Sequence, residues 1–481
     1  MKTNIILLFT FLSFALNAQE TPTDFLSSDF HKGRRDAFRA EMPANSVAVL
    51  FANPVRNRAN DVDYIYHQDP DFQYLTGYNE PHAVLLLFSD LQTDKTGTSY
   101  NEMIYVQKRD ARAEQWNGRR LGVEGVIATL GFEIAYNGID FISLQLDFKN
   151  FNKVLFYNFK NDYRDGNGGA DLFNLVAAFK EKVGYPVNFV PAKQSESLDM
   201  TNNLDLKSLG VIMSGLRETK LPEEMELLKK AVEISAVGQL EVMKAMHPGM
   251  SETEVQGIHE YVYKKYGAEY EGYPSIVGGG NNGCILHYIE NNKPELGNDL
   301  VLMDLGAEYH GYTADVTRTI PANGVFSPAQ KAIYEIVYKA QESGIAASVV
   351  GAPFNTPGLV AAQVVAQGLL DLGIIKEAAE AKRYFPHGTS HYLGLDVHDK
   401  GTYGPFKANT VITVEPGIYI PKGSDCDSKW WGIAVRIEDD ILISENGPVL
   451  LSFMAPRSVA DIEAAMKLAS PLNSFSLPSL N

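Results

Sequence analysis

The sequence predicts a mixed helix and sheet protein with two domains, a smaller α/β domain followed by an α+β domain. The chain has 481 residues, more than one hydrophobic core usually organises. Short runs rich in apolar and β-branched residues alternate with helical patterns in the first part. Farther on, two amphipathic helical patterns come first and several strand patterns follow. We therefore expect domains over residues 24–204 and 205–470.

The first residues have the composition of a secretory signal peptide. Lys2 supplies a positive charge, an apolar run covers residues 5–16, and the small Ala18 precedes Gln19. This run is shorter than the roughly 20 apolar residues of a membrane-spanning helix. We expect residues 1–18 to be removed by cleavage near Ala18, and the protein to be exported to the periplasm or the cell exterior without a membrane span. An apolar N-terminus that is retained is the alternative.

Composition limits the class of partner. Hydrophobic residues make up 45% of the chain and charged residues 21%, as in ordinary soluble domains. The formal net charge of -17 would repel phosphates, so we expect no nucleic-acid partner. The two cysteines, Cys284 and Cys426, can pair in an oxidising compartment, and two unpaired, partly buried thiols are the alternative.

Local patterns predict the main elements of both domains. The strand patterns of the first domain cover residues 46–52, 83–88, 103–107 and 153–157, with a helix over 170–183. In the second domain, helical spacing predicts helices over residues 221–246, 251–266 and 458–469. Pro222 suits the first turn of the first of these helices, and Ser251 with Glu254 suits a capping box at the start of the second.

One glycine-rich segment imitates a nucleotide-binding motif. Residues 278–283 (GGGNNG) fit the G-x-G-x-x-G pattern, and Asp304 follows about 20 residues later. The motif is meaningful only when its glycines open a helix that receives the pyrophosphate. The next residues contain Gly and Pro interruptions and no amphipathic helix, so a loop that lets backbone approach a substrate is the better interpretation.

Residues 298–320 predict two strands joined by a tight turn around Tyr309, His310 and Gly311. In a symmetric register Asp304 and Asp315 would face each other, with Cβ atoms roughly 4.5–5.5 Å apart. Two opposed carboxylates destabilise a hairpin unless a cation lies between them. Two solvated surface aspartates are the alternative.

Three of the ten histidines, His387, His391 and His398, fall within one short segment, HGTSHYLGLDVHD. A single histidine is more often a hydrogen-bonded polar residue than a ligand, but this clustering favours a metal or proton-transfer site. Downstream, the strand pattern 411–414 runs into Glu415, where the chain must turn. A solvated loop carboxylate is the alternative for Glu415 taken alone.

The segment 432–443 (GIAVRIEDDILI) alternates with a period of two residues. Alternation puts Arg436, Glu438 and Asp440 on one face, so Arg436 is placed to orient the carboxylate of Glu438. A cluster of Asp304, Asp315, Glu415, Glu438 and His391 would carry four negative charges, which two divalent ions would balance. An oxygen-rich set with one imidazole favours Mn²⁺, and Zn²⁺ or Co²⁺ would also fit.

With these motifs in order, the chain resembles the aminopeptidase P family of pita-bread metallopeptidases. The resemblance rests on MDLGAEYHGYTADVTRT, HGTSHYLGLDVHD, EPGIY and RIEDD, and the segments DFQYLTGYNEP and AEQWNGRRLG resemble the accessory domain of the same family. It implies a C-terminal pita-bread catalytic domain after a smaller α/β domain. It also implies hydrolysis of the bond before a proline in second position, by a hydroxide that bridges two metal ions.

Carried to this sequence, the resemblance implies roles for eight residues. The implied metal ligands are Asp304, Asp315, His391, Glu415 and Glu438. Glu415 would also handle the proton of the attacking water; the role of Arg436, a candidate site residue, rests on the alternation described above. His287 would assist the oxyanion or the leaving nitrogen, His387 would line the proline pocket, and His398 would contact the substrate beyond the scissile bond.

Other interpretations share the same ligands. Prolidase cleaves only Xaa-Pro dipeptides, and the sequence alone does not show whether a third residue fits. Methionine aminopeptidases usually lack a large N-terminal domain, and metal-free pita-bread binding proteins usually have substituted ligands. Trp116 resembles an aromatic residue that closes the active site of a neighbouring subunit, which leaves a homo-oligomer, dimer or tetramer, open; ordinary core packing is the alternative.

Overall fold

The computed structural model of the protein describes residues 22–93, 96–166, 168–185, 203–474 and 477. The predicted leader, residues 1–18, lies outside these ranges. Within them, no helix combines the length and the apolar character that a membrane crossing requires.

The first part of the chain consists of short helices and strands. In order these are α1 (Ser28–Glu41), β1 (Ser46–Phe51), β2 (Asn57–Ala59), β3 (Val62–Asp63), α2 (Pro70–Thr76), β4 (Val84–Thr93), β5 (Ser99–Val106), α3 (Ala111–Asn117), α4 (Gly122–Thr129), β6 (Ala135–Asn137), α5 (Gly138–Ile142), β7 (Lys153–Leu155), α6 (Leu172–Val183) and β8 (Leu204–Asp205). The four predicted strands and the predicted helix are confirmed as β1, β4, β5, β7 and α6.

These strands form a six-stranded sheet in the order β6-β5-β4-β1-β7-β8. β1 pairs antiparallel with β4 and parallel with β7, and both of its faces are covered. Val47 and Val49 pack toward α6, whereas Ala48 and Leu50 join the large core that continues into the second part of the chain. The predicted boundary near residue 205 falls at the end of the last strand of this sheet.

The second part begins with long helices and continues with short strands. Its elements are α7 (Ser208–Glu218), α8 (Pro222–Ala245), α9 (Glu252–Lys265), β9 (Tyr270–Glu271), β10 (Ile276–Gly279), β11 (Leu300–Leu305), β12 (Ala307–Tyr309), β13 (Tyr312–Thr313), β14 (Val316–Pro321), α10 (Pro328–Ala347), α11 (Thr356–Asp371), β15 (Thr410–Val414), β16 (Gly417–Ile420), β17 (Ile433–Arg436), β18 (Asp439–Ser444), β19 (Gly447–Leu450) and α12 (Val459–Ala465). The predicted helices correspond to α8, α9 and α12.

The helices of this part pair with each other, α8 with α9 and α10 with α11, and the strands form small sheets. The sheets that carry the site are β10-β11-β14, β13-β12-β9, β15-β18-β19 and β16-β17. Helix α9 begins after Ser251 as predicted, and half of the predicted capping box is present, because the Ser251 hydroxyl accepts the backbone N–H of Glu254 at 3.0 Å. The prediction of a mixed helix and sheet fold is confirmed.

The segment 432–443 differs from the prediction, because it is not one continuous strand. β17 pairs with β16, β18 pairs with β15, and the chain breaks between them at Ile437 and Glu438. The backbone N–H of Glu438 donates to the Thr317 carbonyl at 3.1 Å, so this residue bonds to a distant segment instead of continuing a ladder. The predicted faces are nevertheless confirmed: Arg436 and Glu438 border the site cavity, whereas Ile433, Val435 and Ile437 belong to the hydrophobic core.

The glycine-rich segment does not open a helix that can receive a phosphate. It runs from β10 into the short 3₁₀ helix Gly280–Cys284. The N–H of Gly279 donates to the Glu252 carboxylate at 2.7 Å, and a Cβ on Gly278 would lie 2.7 Å from the backbone nitrogen of Gly283. The glycines are needed here because the chain packs against itself.

The two cysteines are unpaired. Cys284 and Cys426 are both partly buried free thiols, so the alternative to a disulfide is the arrangement observed. Burial raises the pKa of Cys284 to about 11, which keeps this thiol protonated near neutral pH.

Candidate metal centre

The first arm of the site is the hairpin that runs from β11 to β14. A two-residue turn at His310 and Gly311 connects β12 to β13, with φ angles of 50° and 89°. The predicted tight turn is confirmed, but the predicted pairing of Asp304 with Asp315 is wrong. Asp304 lies opposite Thr317, and Asp315 lies in the link between β13 and β14.

The two aspartates meet in spite of this register. Residues two apart on a strand point to the same side, so Asp315 is a diagonal neighbour of Asp304 on the face of Thr317. The Tyr273 hydroxyl lies 2.7 Å from Asp304 Oδ1 and 2.5 Å from Asp315 Oδ1. Because the hydroxyl has one proton, it donates to only one carboxylate at a time, and the remaining charge calls for a cation.

A glycine allows the hairpin to bend at this point. A Cβ on Gly306 would lie 1.8 Å from the carbonyl oxygen of Ala314, a backbone atom that has no room to move aside. The N–H of Ala314 donates to the Ala307 carbonyl at 3.0 Å and continues the pairing beyond the irregular residues. Close contact between the two strands therefore brings the aspartates together.

The second arm carries His391 beside β15. Its Nδ1 lies 3.0 Å from the Tyr392 carbonyl, which only accepts, so Nδ1 holds a hydrogen and Nε2 faces the carboxylates. Nε2 is 3.4 Å from Asp315, 3.7 Å from Glu415 and 4.0 Å from Glu438. Such a fixed ring orientation is typical of histidine ligands.

Glu438 and Arg436 also reach the site, and each of them bonds a different partner there. The Thr317 hydroxyl donates to Glu438 Oε2 at 2.6 Å. Arg436 Nη2 donates to Asp304 Oδ2 at 2.5 Å, and its Nη1 donates to the Tyr419 hydroxyl at 2.8 Å. Arg436 thus bonds Asp304 directly, and it acts on the neighbouring Glu438 carboxylate through its charge, which opposes the rise in the pKa of Glu438.

The charges of these groups fit bound divalent cations. Burial raises the pKa of Glu415 to about 7, with Asp315 and Asp304 adding to the shift and His391 and Arg436 opposing it. Burial, then the neighbouring Asp315 and Glu415, raises the pKa of Glu438 well above its usual range. The buried carboxylates therefore need compensating positive charge, and bound divalent cations would supply it.

The donor set is also suited to a metal. One ligand atom from each of Asp315, His391 and Glu438 lies within 4.8 Å of the others. Burial opposes protonation of His391, but Asp315 and Glu415 outweigh it and raise its pKa to about 9. A bound cation would displace that proton, because a metal ligand must be the neutral imidazole.

All nine predicted site residues border one cavity of about 620 Å³. The cavity brings together His287, Asp304, Asp315, His387, His391, His398, Glu415, Arg436 and Glu438.

Three further histidines of the cavity lie around the candidate ligands. His387 Nε2 lies 2.7 Å from the Tyr419 hydroxyl, and burial, helped by Arg436, lowers the pKa of His387 to about 4. The His398 ring lies edge-on to His391 at 4.4 Å, and His287 is exposed at the rim.

Three residues of the site were not predicted: Tyr273, Thr317 and Tyr419. Thr317 follows Asp315 by two residues, so strand periodicity was a signal that could have placed it on the same face. Tyr273 and Tyr419 have no such local signal, because their hydroxyls reach the site from separate segments.

Comparison with known proteins agrees with this geometry. Residues 226–445 match metallopeptidase family M24, and residues 31–150 match the aminopeptidase P N-terminal domain. A Xaa-Pro aminopeptidase of Haemophilus influenzae is 38% identical over 90% of this chain and 96% of its own. A Xaa-Pro aminopeptidase of Escherichia coli is 35% identical over 91% of this chain and 97% of its own.

Solved structures give the same result. Aminopeptidase P from Escherichia coli, determined with the inhibitor Pro-Leu, matches with a TM-score of 0.80 at 34% identity, over 92% of this chain and 98% of that chain. Aminopeptidase PepP of Pseudomonas aeruginosa matches with a TM-score of 0.80 at 33% identity and the same coverage. The predicted fold, a pita-bread catalytic domain after a smaller α/β domain, is confirmed. The chain belongs to the Xaa-Pro aminopeptidase family of M24 metallopeptidases.

Proposed function

We propose that the protein is a metal-dependent Xaa-Pro aminopeptidase, which removes the N-terminal residue from peptides with proline in second position. The observation that carries this proposal is the convergence of four carboxylates and one imidazole on a single cavity, in a chain of this family. The relatives named above are aminopeptidases, and this favours the activity over that of a dipeptidase.

Five residues would hold the cations: Asp304, Asp315, His391, Glu415 and Glu438. Two divalent ions, when bound, supply Lewis-acid polarisation of a carbonyl and lower the pKa of water. The oxygen-rich donor set supports Mn²⁺ as the native ion. Zinc and cobalt remain alternatives, and an Escherichia coli aminopeptidase P has been solved in a zinc-substituted form.

Glu415 is placed to move a proton during hydrolysis. Its carboxylate borders the cavity beside the other candidate ligands, where it can accept a proton from water and return it to a leaving nitrogen. His387 stays neutral near pH 7, and because its Nδ1 donates to the Gly388 carbonyl, its Nε2 accepts a hydrogen bond from the Tyr419 hydroxyl. Arg436 donates to the same hydroxyl and, with its other nitrogen, to Asp304, so its positive charge stays beside that carboxylate.

Selectivity for proline follows from the peptide bond itself. The bond before proline is a tertiary amide without an N–H, so a site that requires that donor loses a contact. A cavity bordered by histidine rings accepts the proline ring without it. We assign His387 to the proline pocket, His287 to the oxyanion or the leaving nitrogen, and His398 to the substrate beyond the scissile bond.

Two proposals concern the setting of the enzyme. The leader pattern over residues 1–18 supports export to the periplasm or beyond, which N-terminal sequencing of the protein recovered from cell fractions would test. Trp116 is 80% exposed, so it is not a core residue of this chain. Its exposure, with its resemblance to an aromatic residue that closes a neighbouring subunit's active site, supports a homo-oligomer, and light scattering of Trp116→Ala would test this.

A paired set of substrates tests the activity. Xaa-Pro and Xaa-Pro-Yaa peptides are incubated with the protein after chelation, with and without added Mn²⁺. We expect metal-dependent release of the first residue from the tripeptide, and loss of that release in Glu415→Gln. The control is the separate variant Glu254→Gln, which changes an exposed glutamate and should keep the activity. Cleavage confined to the dipeptide would indicate a prolidase, and cleavage unaffected by chelation would contradict the proposal.

A further inference from the structure

A group of four residues, which we name the clasp, ties the beginning of the described chain to the turn of the hairpin that runs from β11 to β14. The clasp consists of Asp24, Phe25, Glu269 and His310. Asp24 Oδ1 lies 2.9 Å from His310 Nε2, and Glu269 Oε1 lies 2.6 Å from His310 Nδ1. The Phe25 ring stacks on the His310 ring with centroids 3.8 Å apart. One imidazole is thus held by two carboxylates and one aromatic face.

The clasp holds its histidine more firmly than an ordinary surface ion pair would. The His310 side chain is 1% exposed, whereas those of Asp24 and Glu269 are 53% and 33% exposed. The backbone N–H of His310 also donates to Glu269 Oε2 at 2.9 Å. His310 has a φ of 50°, in the left-handed region that few residues other than Gly adopt, although Asn, Asp and His are enriched there. Such a conformation persists only where surrounding contacts enforce it.

A short path of contacts leads from the clasp to Asp304 and Asp315, the two aspartates of this hairpin. Glu269 directly precedes β9, which pairs with β12 through Glu271 and Ala307. Two residues beyond β9, Tyr273 places its hydroxyl against both Asp304 and Asp315. His310 stands at the turn of the hairpin that supplies the same two aspartates. The clasp therefore fixes β9 and the hairpin relative to each other.

We infer that the clasp is a positioning device for the metal centre: Asp24, Phe25 and Glu269 act through His310 to keep Asp304 and Asp315 in place for their cations. This inference rests on the metal ligands of the proposed function. Asp24 and Phe25 lie beyond the predicted cleavage near Ala18, so the mature chain would retain both. None of the four residues borders the substrate cavity, so their effect reaches the site only through the hairpin.

The test compares metal release and hairpin mobility in single variants of the full chain. The variants are Asp24→Asn, Phe25→Ala and His310→Asn, since asparagine tolerates the φ of residue 310. Asp36→Asn is the matched control, because Asp36 is 51% exposed and pairs with Lys32 away from the hairpin. Loss of Mn²⁺ to excess EDTA is followed by the electron spin resonance of the ion. Amide hydrogen exchange over residues 300–317 is measured on the metal-free protein.

We expect metal release about threefold to tenfold faster in the clasp variants, less than the roughly tenfold to hundredfold cost of losing a group that bonds a metal ligand directly. Hairpin amides should exchange faster as well, while Asp36→Asn behaves like the wild type. Phe25→Tyr should keep the wild-type rate, and Asp24→Asn should add little to His310→Asn, because the contact between Asp24 and His310 is already lost in that variant. Clasp variants with wild-type release and exchange would overturn the inference. If the wild type took up no metal, the proposed function would fail, and hydrogen exchange would still decide on the clasp.

Discussion

Arg436 bonds Asp304 and not Glu438, the acidic residue two positions farther along its own segment. Arg436 and Asp304 are both buried, so each depends on the other for its charge. The same guanidinium reaches the Tyr419 hydroxyl and, through it, His387. The arginine thus links the carboxylate end of the cavity to the histidine end.

We expect Arg436→Met to destabilise the metal-free protein by about 3–5 kcal/mol, because it leaves the buried Asp304 charge unpaired. Bound metal should recover part of this loss by taking over the neutralisation of Asp304. Urea unfolding with and without Mn²⁺ measures both quantities. Arg164→Met, which removes an exposed partner of Asp63, is the control and should change stability little. Equal stability of Arg436→Met and this control would contradict the prediction.

Tyr273→Phe should destabilise the metal-free protein by about 1–2 kcal/mol, because the hydroxyl that separates Asp304 from Asp315 is lost. The rise in melting temperature on adding Mn²⁺ should be larger in this variant than in the wild type, since cations relieve the same repulsion. Differential scanning fluorimetry measures the shift. Tyr261→Phe removes a hydroxyl from a tyrosine that is 58% exposed and should leave it unchanged.

Metal uptake should release protons near neutral pH. Without cations, burial raises the pKa of Glu415 to about 7, and the pKa of Glu438 stands well above its usual range. His391, whose pKa is raised to about 9, must also lose a proton to bind a cation. We expect more protons released at pH 6 than at pH 8, since Glu415 is already ionised at the higher pH. Calorimetric titration in buffers of different ionisation enthalpy measures this number, and a pH-independent result would count against the prediction.

The clasp should give the metal-free protein a stability component that depends on pH. Burial opposes protonation of His310, but the hydrogen bonds with Glu269 and Asp24 outweigh it and raise the pKa. Besides these carboxylates, the rings of Phe25 and Tyr309 face the imidazole, and the Tyr309 hydroxyl donates to Asp24 at 2.5 Å. A raised histidine pKa stabilises the fold below about pH 6.5, the value of the unfolded chain, and the gain is lost as pH rises through the folded value.

The carboxylates limit the same effect on the acid side. The Tyr309 hydrogen bond lowers the pKa of Asp24, so its contribution disappears as pH falls through that lowered value. The free energy of unfolding of the wild type should therefore exceed that of His310→Asn most in mildly acid solution, and the difference should shrink in alkali. Urea titrations of both proteins from pH 5 to pH 9 measure it. A difference that stays constant with pH would show that His310 acts by packing alone.

Much of the frame was predictable because it depends on neighbouring residues. The strands β1, β4, β5 and β7 have local runs of apolar residues, and α8 and α9 have helical spacing with suitable first turns. The candidate ligands were predictable by residue type, since carboxylates and a histidine cluster are what divalent cations need. All nine candidates border one cavity, although Asp304 and Glu438 are more than a hundred residues apart.

The tertiary structure alone decided which of these residues touch. The hairpin register depends on the turn at His310 and on close strand contact at Gly306, so Asp304 faces Thr317 and meets Asp315 diagonally. The break after Arg436 depends on a hydrogen bond to Thr317, far away in the chain. The sequence by itself determined the chemical inventory of the site, because side-chain types and short-range patterns are local. Contacts between distant segments, such as that of Tyr273 with both aspartates, depend on how the whole chain packs, and no local pattern encodes them.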